Sequence, residues 1–297
     1  MPELPEVETV KRGLEPLLCG QLLARVEIRR ANLRFPFPVD FARLLERSTV
    51  QNLTRRAKYI LIACDNGMSL IVHLGMTGRF SVVRPGENAA SLGDFYYEAE
   101  TGSNAGGVHD HVIFTLGDGV RLIYSDPRRF GMMDVHATAE IHLHKLLKNI
   151  GVEPLGNGLS GAYLAEKFRD KKAPLKAALL DQRVVAGLGN IYVCEALHRS
   201  GLSPKRKAGS LVKARTYDPR LDLLVRNIKD ILNEAILAGG STLQDFVGTG
   251  GEKGSFQQRF TAYDREGEAC STPHCTGKIK RIVQSGRSTF YCPLCQK

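Results

Sequence analysis

At 297 residues, 43% of them apolar, the chain has enough material for two domains and a real core. Lys and Arg outnumber Asp and Glu by 41 to 31, and the net charge of +10 at pH 7 favours a polyanionic partner. No run of about 18 apolar residues and no basic, apolar, small-residue leader is present, which argues against a membrane span and against secretion.

The chain opens Met1-Pro2-Glu3-Leu4-Pro5-Glu6. Removal of Met1 would leave Pro2 as a free secondary amine with a carboxylate beside it. An N-terminal α-amine titrates near ~8, so a useful fraction is an unprotonated nucleophile at neutral pH. Attack by such an amine on a sugar aldehyde gives an iminium, whose fixed charge makes it a stronger electron sink than an imine. Glu3 and Glu6 are close enough in sequence to donate and shuttle the protons. The same residues read equally well as a proline-capped helix start.

From Glu6 to Leu18, Val7, Val10, Leu14, Leu17 and Leu18 recur at helical spacing, with Gly20 as a stop. Strands are predicted over Leu22–Arg30, Tyr59–Cys64, Ser69–Leu74, Arg79–Val83, His111–Leu116, Arg121–Ser125 and Met132–Val135. Asp65-Asn66-Gly67 and Gly117-Asp118-Gly119 are turn signals that join two of these pairs into hairpins. Short antiparallel strands of this kind predict a β-sandwich. Residues 84–108 read as a long exposed loop.

After about residue 137 the period changes from two to 3.6. Helices are predicted over 139–149, 160–169, 174–181, 190–200 and 219–237, the last with Asp218 as N-cap and Pro219 at its first position. The fold class is therefore α+β. Gly187-Leu188-Gly189-Asn190 lies between two of the helices. It reads either as an ordinary corner or as a phosphate-binding turn in which Asn190 caps the helix and bonds a phosphate oxygen.

Four of the seven cysteines fall in the last 28 residues as Cys270-x4-Cys275-x16-Cys292-x2-Cys295. Two thiolate pairs at this spacing fit a closed tetrahedral structural zinc site, one ion per chain, with His274 a second candidate for the place of Cys275. Cys19, Cys64 and Cys194 are scattered through apolar segments, which suits a reducing cytoplasm better than a disulfide scaffold. Between the knuckles lie Lys278, Lys280, Arg281 and Arg287 with no acid, which predicts a zinc-held β-hairpin presenting cations to phosphate.

Lys58 begins a hydrophobic strand, and His73-Leu74-Gly75-Met76 and Asp126-Pro127-Arg128-Arg129-Phe130-Gly131 sit just past strands. Met, Arg and Phe on loops are satellite packing in most proteins. In a DNA enzyme they suit a wedge that replaces an extruded base.

Taken in order, Pro-Glu-Leu-Pro-Glu, Lys58, Asp-Pro-Arg-Arg-Phe-Gly, Gly-Leu-Gly-Asn-Ile-Tyr and the four-cysteine tail resemble bacterial formamidopyrimidine-DNA glycosylase over the span from Pro2 to Lys297. The resemblance implies a β-sandwich domain behind an N-terminal helix, a helix–two-turns–helix domain and a zinc-finger hairpin. It places their boundaries at 2–136, 137–246 and 263–297, with a linker at 247–262 whose residues 247–258 cover the flipped base. It implies excision of oxidised purines from double-stranded DNA followed by β,δ-elimination, in a monomer of the bacterial cytoplasm. Pro2 matches the Schiff-base nucleophile and Glu3 the acid that helps open the sugar, with Glu6 in support. Lys58 and Arg287 match the proton donors of the two eliminations. Met76, Arg128 and Phe130 match the void-filling set, while His109, Arg128, Lys171, Lys176 and Asn190 match positions that hold DNA. The first zinc knuckle has four intervening residues where the family usually has two. The related endonuclease VIII, which prefers oxidised pyrimidines, typically has Gly in place of Leu4 and lacks the full void-filling set. A zinc-finger DNA binder without catalysis would have no use for Pro2, Glu3, Lys58 and Arg287.

Overall fold

The N-terminal part of the chain, up to Ala137, buries its apolar residues by alternating them across two antiparallel sheets. The computed structural model describes residues 2–86, 90–92, 107–241 and 255–297. Its strands are β1 (Leu23–Ile28), β2 (Val50–Arg56), β3 (Tyr59–Cys64), β4 (Met68–His73), β5 (Arg79–Val83), β6 (Ala90–Leu92), β7 (Asp110–Leu116), β8 (Arg121–Ser125) and β9 (Met132–Ala137). One sheet runs β1-β7-β8-β5-β6 and the other β2-β3-β4-β9. Their apolar faces share a core that includes Val26, Leu53, Ile60, Val72, Phe80, Phe114 and Tyr124. Helix α1 (Leu4–Leu18) lays Val7, Val10, Leu14 and Leu18 into the same core, as its periodicity predicts. A five-residue helix, α2 (Phe41–Leu45), adds Phe41 and Leu45.

Both predicted hairpins form: β3 pairs with β4 and β7 with β8, each antiparallel. Strand β6 departs from the expected loop, because Ala90–Leu92 pair with β5. The remainder of that loop's centre, residues 87–89 and 93–106, lies outside the described residues. The helix expected at 139–149 is also corrected. Only a 3-10 segment, Thr138–Leu143, forms there, and none of its side chains is buried, so no apolar face exists to stabilise a longer helix.

The helical part comprises α3 (Gly161–Phe168), α4 (Leu175–Leu180), α5 (Asn190–Arg199) and α6 (Arg220–Leu237). Ser160 caps α3 by accepting the Tyr163 amide, and the Asp218 carboxylate accepts the Arg220 amide at the start of α6. Leu221, Leu224, Val225, Ile228, Ile231, Leu232, Ala235 and Ile236 form the buried face of α6. The tail folds into an antiparallel hairpin, β10 (Lys280–Gln284) with β11 (Arg287–Tyr291). The chain divides into two compact units, Met1–Lys148 with Ala238–Ser255, and Asn149–Leu237 with Phe256–Lys297.

Candidate active site and metal centre

In the first unit the chain enters α1 through a reciprocal cap. The Glu3 side chain accepts the Glu6 amide, and Glu6 Oε2 accepts the Glu3 amide at 2.9 Å. Glu6 Oε1 also accepts the amide and hydroxyl of Ser241, at 2.7 and 2.9 Å. Pro2, Glu3 and Glu6 are all buried, so a carboxyl beside Pro2 is held in a fixed place and away from bulk water.

Lys58 is placed by a chain of contacts that starts on the same helix. Glu8 of α1 accepts from Arg55 Nε at 2.9 Å, and Arg55 in turn donates to the Ala57 carbonyl at 2.8 Å. Ala57 adopts φ of 52°, unusual for a residue with a Cβ, and this closes the two-residue turn between β2 and β3 that presents Lys58. Lys58 is only 7% exposed. Opposite the strand start, His73 packs against Tyr59 with ring centroids 4.9 Å apart. Burial, then the charges of Lys58 and Arg34, bring the His73 imidazole down to about 4. A neutral ring suits its hydrogen bond, because Nδ1 accepts the Gly75 amide at 3.0 Å.

The loops bearing Met76, Arg128 and Phe130 touch backbone to backbone. A Cβ on Gly75 would collide with the Gly131 nitrogen and the Phe130 carbonyl, so no other residue fits there. Met76 is half-buried, whereas Arg128 and Phe130 are exposed. The Arg128 guanidinium lies over the Phe130 ring, 4.8 Å from its centroid. His109 is exposed just before β7, and its carbonyl accepts the Asp126 amide at 3.0 Å.

In the second unit Asn190 is the first residue of α5 and Gly189 its N-cap, which corrects the expected capping by Asn190. Its Nδ2 donates instead to the Ser288 carbonyl at 3.0 Å. Lys176 is 1% exposed, and its ammonium donates to the same carbonyl at 2.9 Å and to Thr289 Oγ1 at 2.6 Å. Both side chains thus fix β11 immediately after Arg287, which is itself exposed. Lys171 is half-buried past the end of α3. Of the expected 247–258 loop, residues 247–254 lie outside the described residues.

The four cysteine sulfurs lie within 4.8 Å of one another. The Cys270–Cys295 and Cys275–Cys292 separations are 3.7 and 3.6 Å. Tetrahedral Zn–S bonds of ~2.3 Å demand an edge near ~3.8 Å, so the donor set fits a zinc ion. The longer knuckle closes through a turn in which the Cys275 amide donates to the Thr272 carbonyl at 3.0 Å and His274 adopts φ of 62°. Gly277 is required, since a Cβ there would sit 2.7 Å from Cys292 Sγ. His274 is exposed and lies outside the cluster. Electrostatics call for a cation as well. Burial, with Cys292 and Cys270 beside it, pushes the Cys295 thiol up to about 12, a cost to its thiolate that a bound cation would offset.

Family models match almost the whole chain: a formamidopyrimidine-DNA glycosylase N-terminal domain over residues 1–133, the H2TH domain of the same enzyme over 150–247, and a zinc finger found in FPG and IleRS over 273–297. The formamidopyrimidine-DNA glycosylase of Methylorubrum populi is 55% identical across 100% of this chain and 99% of its own length. The chain belongs to the formamidopyrimidine-DNA glycosylase family. That of Rhizobium johnstonii is 54% identical with both chains fully covered. Among solved structures, the Thermus thermophilus protein gives a TM-score of 0.80 at 36% identity, covering 99% of this chain and 98% of that one. The Lactococcus lactis Fpg in complex with abasic-site DNA gives 0.83 at 31%, with both chains covered in full.

As in the family's zinc finger, the four cysteines hold one structural zinc. Sequence reasoning gave no role to three residues that the geometry makes structural, two in the first unit and one beside the finger in the second. Arg34 donates its amide to the Gly131 carbonyl at 3.1 Å, and its charge acts on His73. Glu195, fully buried on α5, accepts four hydrogen bonds from Thr261, Ala262 and Tyr263 and so anchors the chain entering the finger. A Glu in an apolar helical run was the available signal. Asp126, buried between the loops that carry Met76 and Arg128, opens the Asp-Pro-Arg-Arg-Phe-Gly motif, but nothing in the local sequence gives it a role of its own.

Proposed function

We propose that this chain excises oxidised purines, 8-oxoguanine and formamidopyrimidines, from duplex DNA and then cleaves the strand by β,δ-elimination in base excision repair. The observation that carries this reading is the buried Glu3 carboxyl beside Pro2, clamped by Glu6 and joined through Glu8, Arg55 and Ala57 to the turn that holds Lys58.

Once Met1 is gone, the Pro2 nitrogen attacks C1′ and the damaged base departs. Glu3 protonates the sugar oxygen as the ring opens to the iminium. Loss of the C2′ proton expels the 3′ phosphate, with Lys58 as its proton donor. A second elimination expels the 5′ phosphate, served by Arg287. The sister preference for oxidised pyrimidines is disfavoured by Leu4 and by the complete Met76, Arg128 and Phe130 set. The net charge of +10 supports duplex DNA as partner, to which His109, Lys171, Lys176 and Asn190 contribute directly or by shaping the backbone. Among the described residues no helix is long and apolar enough to cross a membrane. The family resemblance supports a monomer acting in the bacterial cytoplasm.

Flipping the lesion out costs a few kcal/mol and leaves its partner base unpaired. Arg128 offers only donors, which suit the O2 and N3 acceptors of cytosine, while adenine presents an N6 donor. A polar readout of this kind is worth ~1–3 kcal/mol, so excision opposite cytosine should exceed that opposite adenine by roughly tenfold or more. Arg128→Ala should flatten the preference and leave cleavage of a pre-formed abasic site intact. Single-turnover rates with each opposite base test this. An unchanged ratio would reduce Arg128 to a phosphate clamp.

A further inference from the structure

Asp126 is fully buried, and its polar atoms are tied to the two loops that carry Met76 and Arg128. Its Oδ1 accepts from Thr77 Oγ1 at 2.5 Å, and its Oδ2 from the Gly131 amide at 2.7 Å. Its carbonyl accepts from the Arg129 amide at 3.1 Å and lies 2.9 Å from His111 Nε2. Thr77 is the residue after Met76. Its hydroxyl has a single proton, which goes to Asp126, so its oxygen serves the Arg128 amide as acceptor, at 3.1 Å. The result is one directional chain, from Arg128 N–H to Thr77 O–H to the Asp126 carboxyl. That chain joins two segments that are distant in sequence.

Neighbouring groups leave these loops little room to move. Tyr124, fully buried, puts its hydroxyl where a Cβ on Gly78 or on Gly131 would stand. Arg129 is held at φ of 56°, a conformation uncommon for a residue with a Cβ, between the exposed Arg128 and Phe130.

We infer that Asp126 and Thr77 are positioning residues that hold Met76, Arg128 and Phe130 as one pre-assembled wedge, so that base extrusion does not have to order two separate loops. The inference rests on the void-filling reading of those three side chains. Pre-organisation matters because each rotamer-rich side chain and loop ordered only on binding subtracts from the net gain. Thr77→Val keeps the shape but removes both hydrogen bonds, leaving the Arg128 amide and the Asp126 oxygen without partners. Asp126→Asn also breaks the chain: toward Gly131 its NH2 meets a backbone donor, and toward Thr77 it reverses the bond, so that the Thr77 hydroxyl accepts from two amides and its own proton loses the carboxyl.

The test measures single-turnover excision from duplexes with 8-oxoguanine opposite cytosine or adenine, alongside nicking of a single-stranded abasic site. Thr77→Val should lose about tenfold or more on the cytosine duplex. Its cytosine-to-adenine ratio should collapse, and its abasic nicking should stay at the wild-type rate. Thr77→Ser, which restores the hydroxyl, should recover both duplex rate and ratio. A Val variant with the wild-type ratio, an equal loss on all three substrates, or a Ser variant as poor as Val would each overturn the inference. Failure of the wild-type protein to excise the base would instead remove the functional reading beneath it.

Discussion

Glu3→Gln is expected to abolish base excision while sparing cleavage of an abasic site. The substitution is isosteric, and its Oε1 can still accept the Glu6 amide that Glu3 accepts in the helix cap. Any loss therefore reports the missing proton and not the missing cap, whose removal costs typically ~1 kcal/mol. A positioned general acid contributes about 10²- to 10⁴-fold, so excision of 8-oxoguanine should fall by at least about 100-fold. A pre-formed abasic site needs no help in base departure, and its nicking should fall far less. Equal loss on both substrates would mean that Glu3 serves the nucleophile or the fold instead.

Cys292→Ser should release the zinc and, with it, the finger. Cys292 is fully buried and lies in the small core that also contains Ala262, Cys270, Ile279 and Phe290. Zinc binding supplies about 10–16 kcal/mol to isolated finger peptides at pH 7, far beyond what a core of this size can replace. Wild-type protein should contain one zinc per chain, and the variant none. With the hairpin melted, Lys278, Lys280, Arg281 and Arg287 no longer present cations in register. The slope of log affinity against log salt should then become shallower by ~0.9 for each phosphate that is no longer neutralised. Chelation of the wild type should have the same effect, and restored zinc should reverse it. Near-normal DNA affinity in metal-free protein would rule out a zinc-held hairpin as the phosphate contact.

The elements legible in the sequence are those whose pattern is local. Helices α1 and α6 carry their apolar residues at the 3.6 period and bury those residues. Turn glycines mark both hairpins, and cysteine spacing marks the metal centre. Strand β2 escapes a sequence reading because only Val50 and Leu53 face inward and polar residues fill the positions between. Helix α2 is a single turn, too short to show a period. The 3-10 segment Thr138–Leu143 mimics a longer helix through apolar residues that remain unburied. At the site, Pro2, Glu3 and the loops bearing Met76, Arg128 and Phe130 are readable as motifs. The pairing of Asp126 with Thr77 is not, since their hydrogen bond spans 49 positions and only the fold brings them together. Lys176 and Asn190, which the resemblance matches to positions that hold DNA, both donate to the Ser288 carbonyl of β11, a contact that joins distant parts of the chain and that no local pattern shows.

That Pro2 is the nucleophile is the step on which all the proposed chemistry depends. Borohydride reduction during reaction with an 8-oxoguanine duplex, followed by peptide mass mapping and an intact mass of the starting protein, probes it without any substitution. The expected result is a protein lacking Met1 and a covalent DNA adduct whose modified peptide begins at Pro2. An adduct on a lysine side chain, or full activity in protein that retains Met1, would show that Pro2 is not the nucleophile.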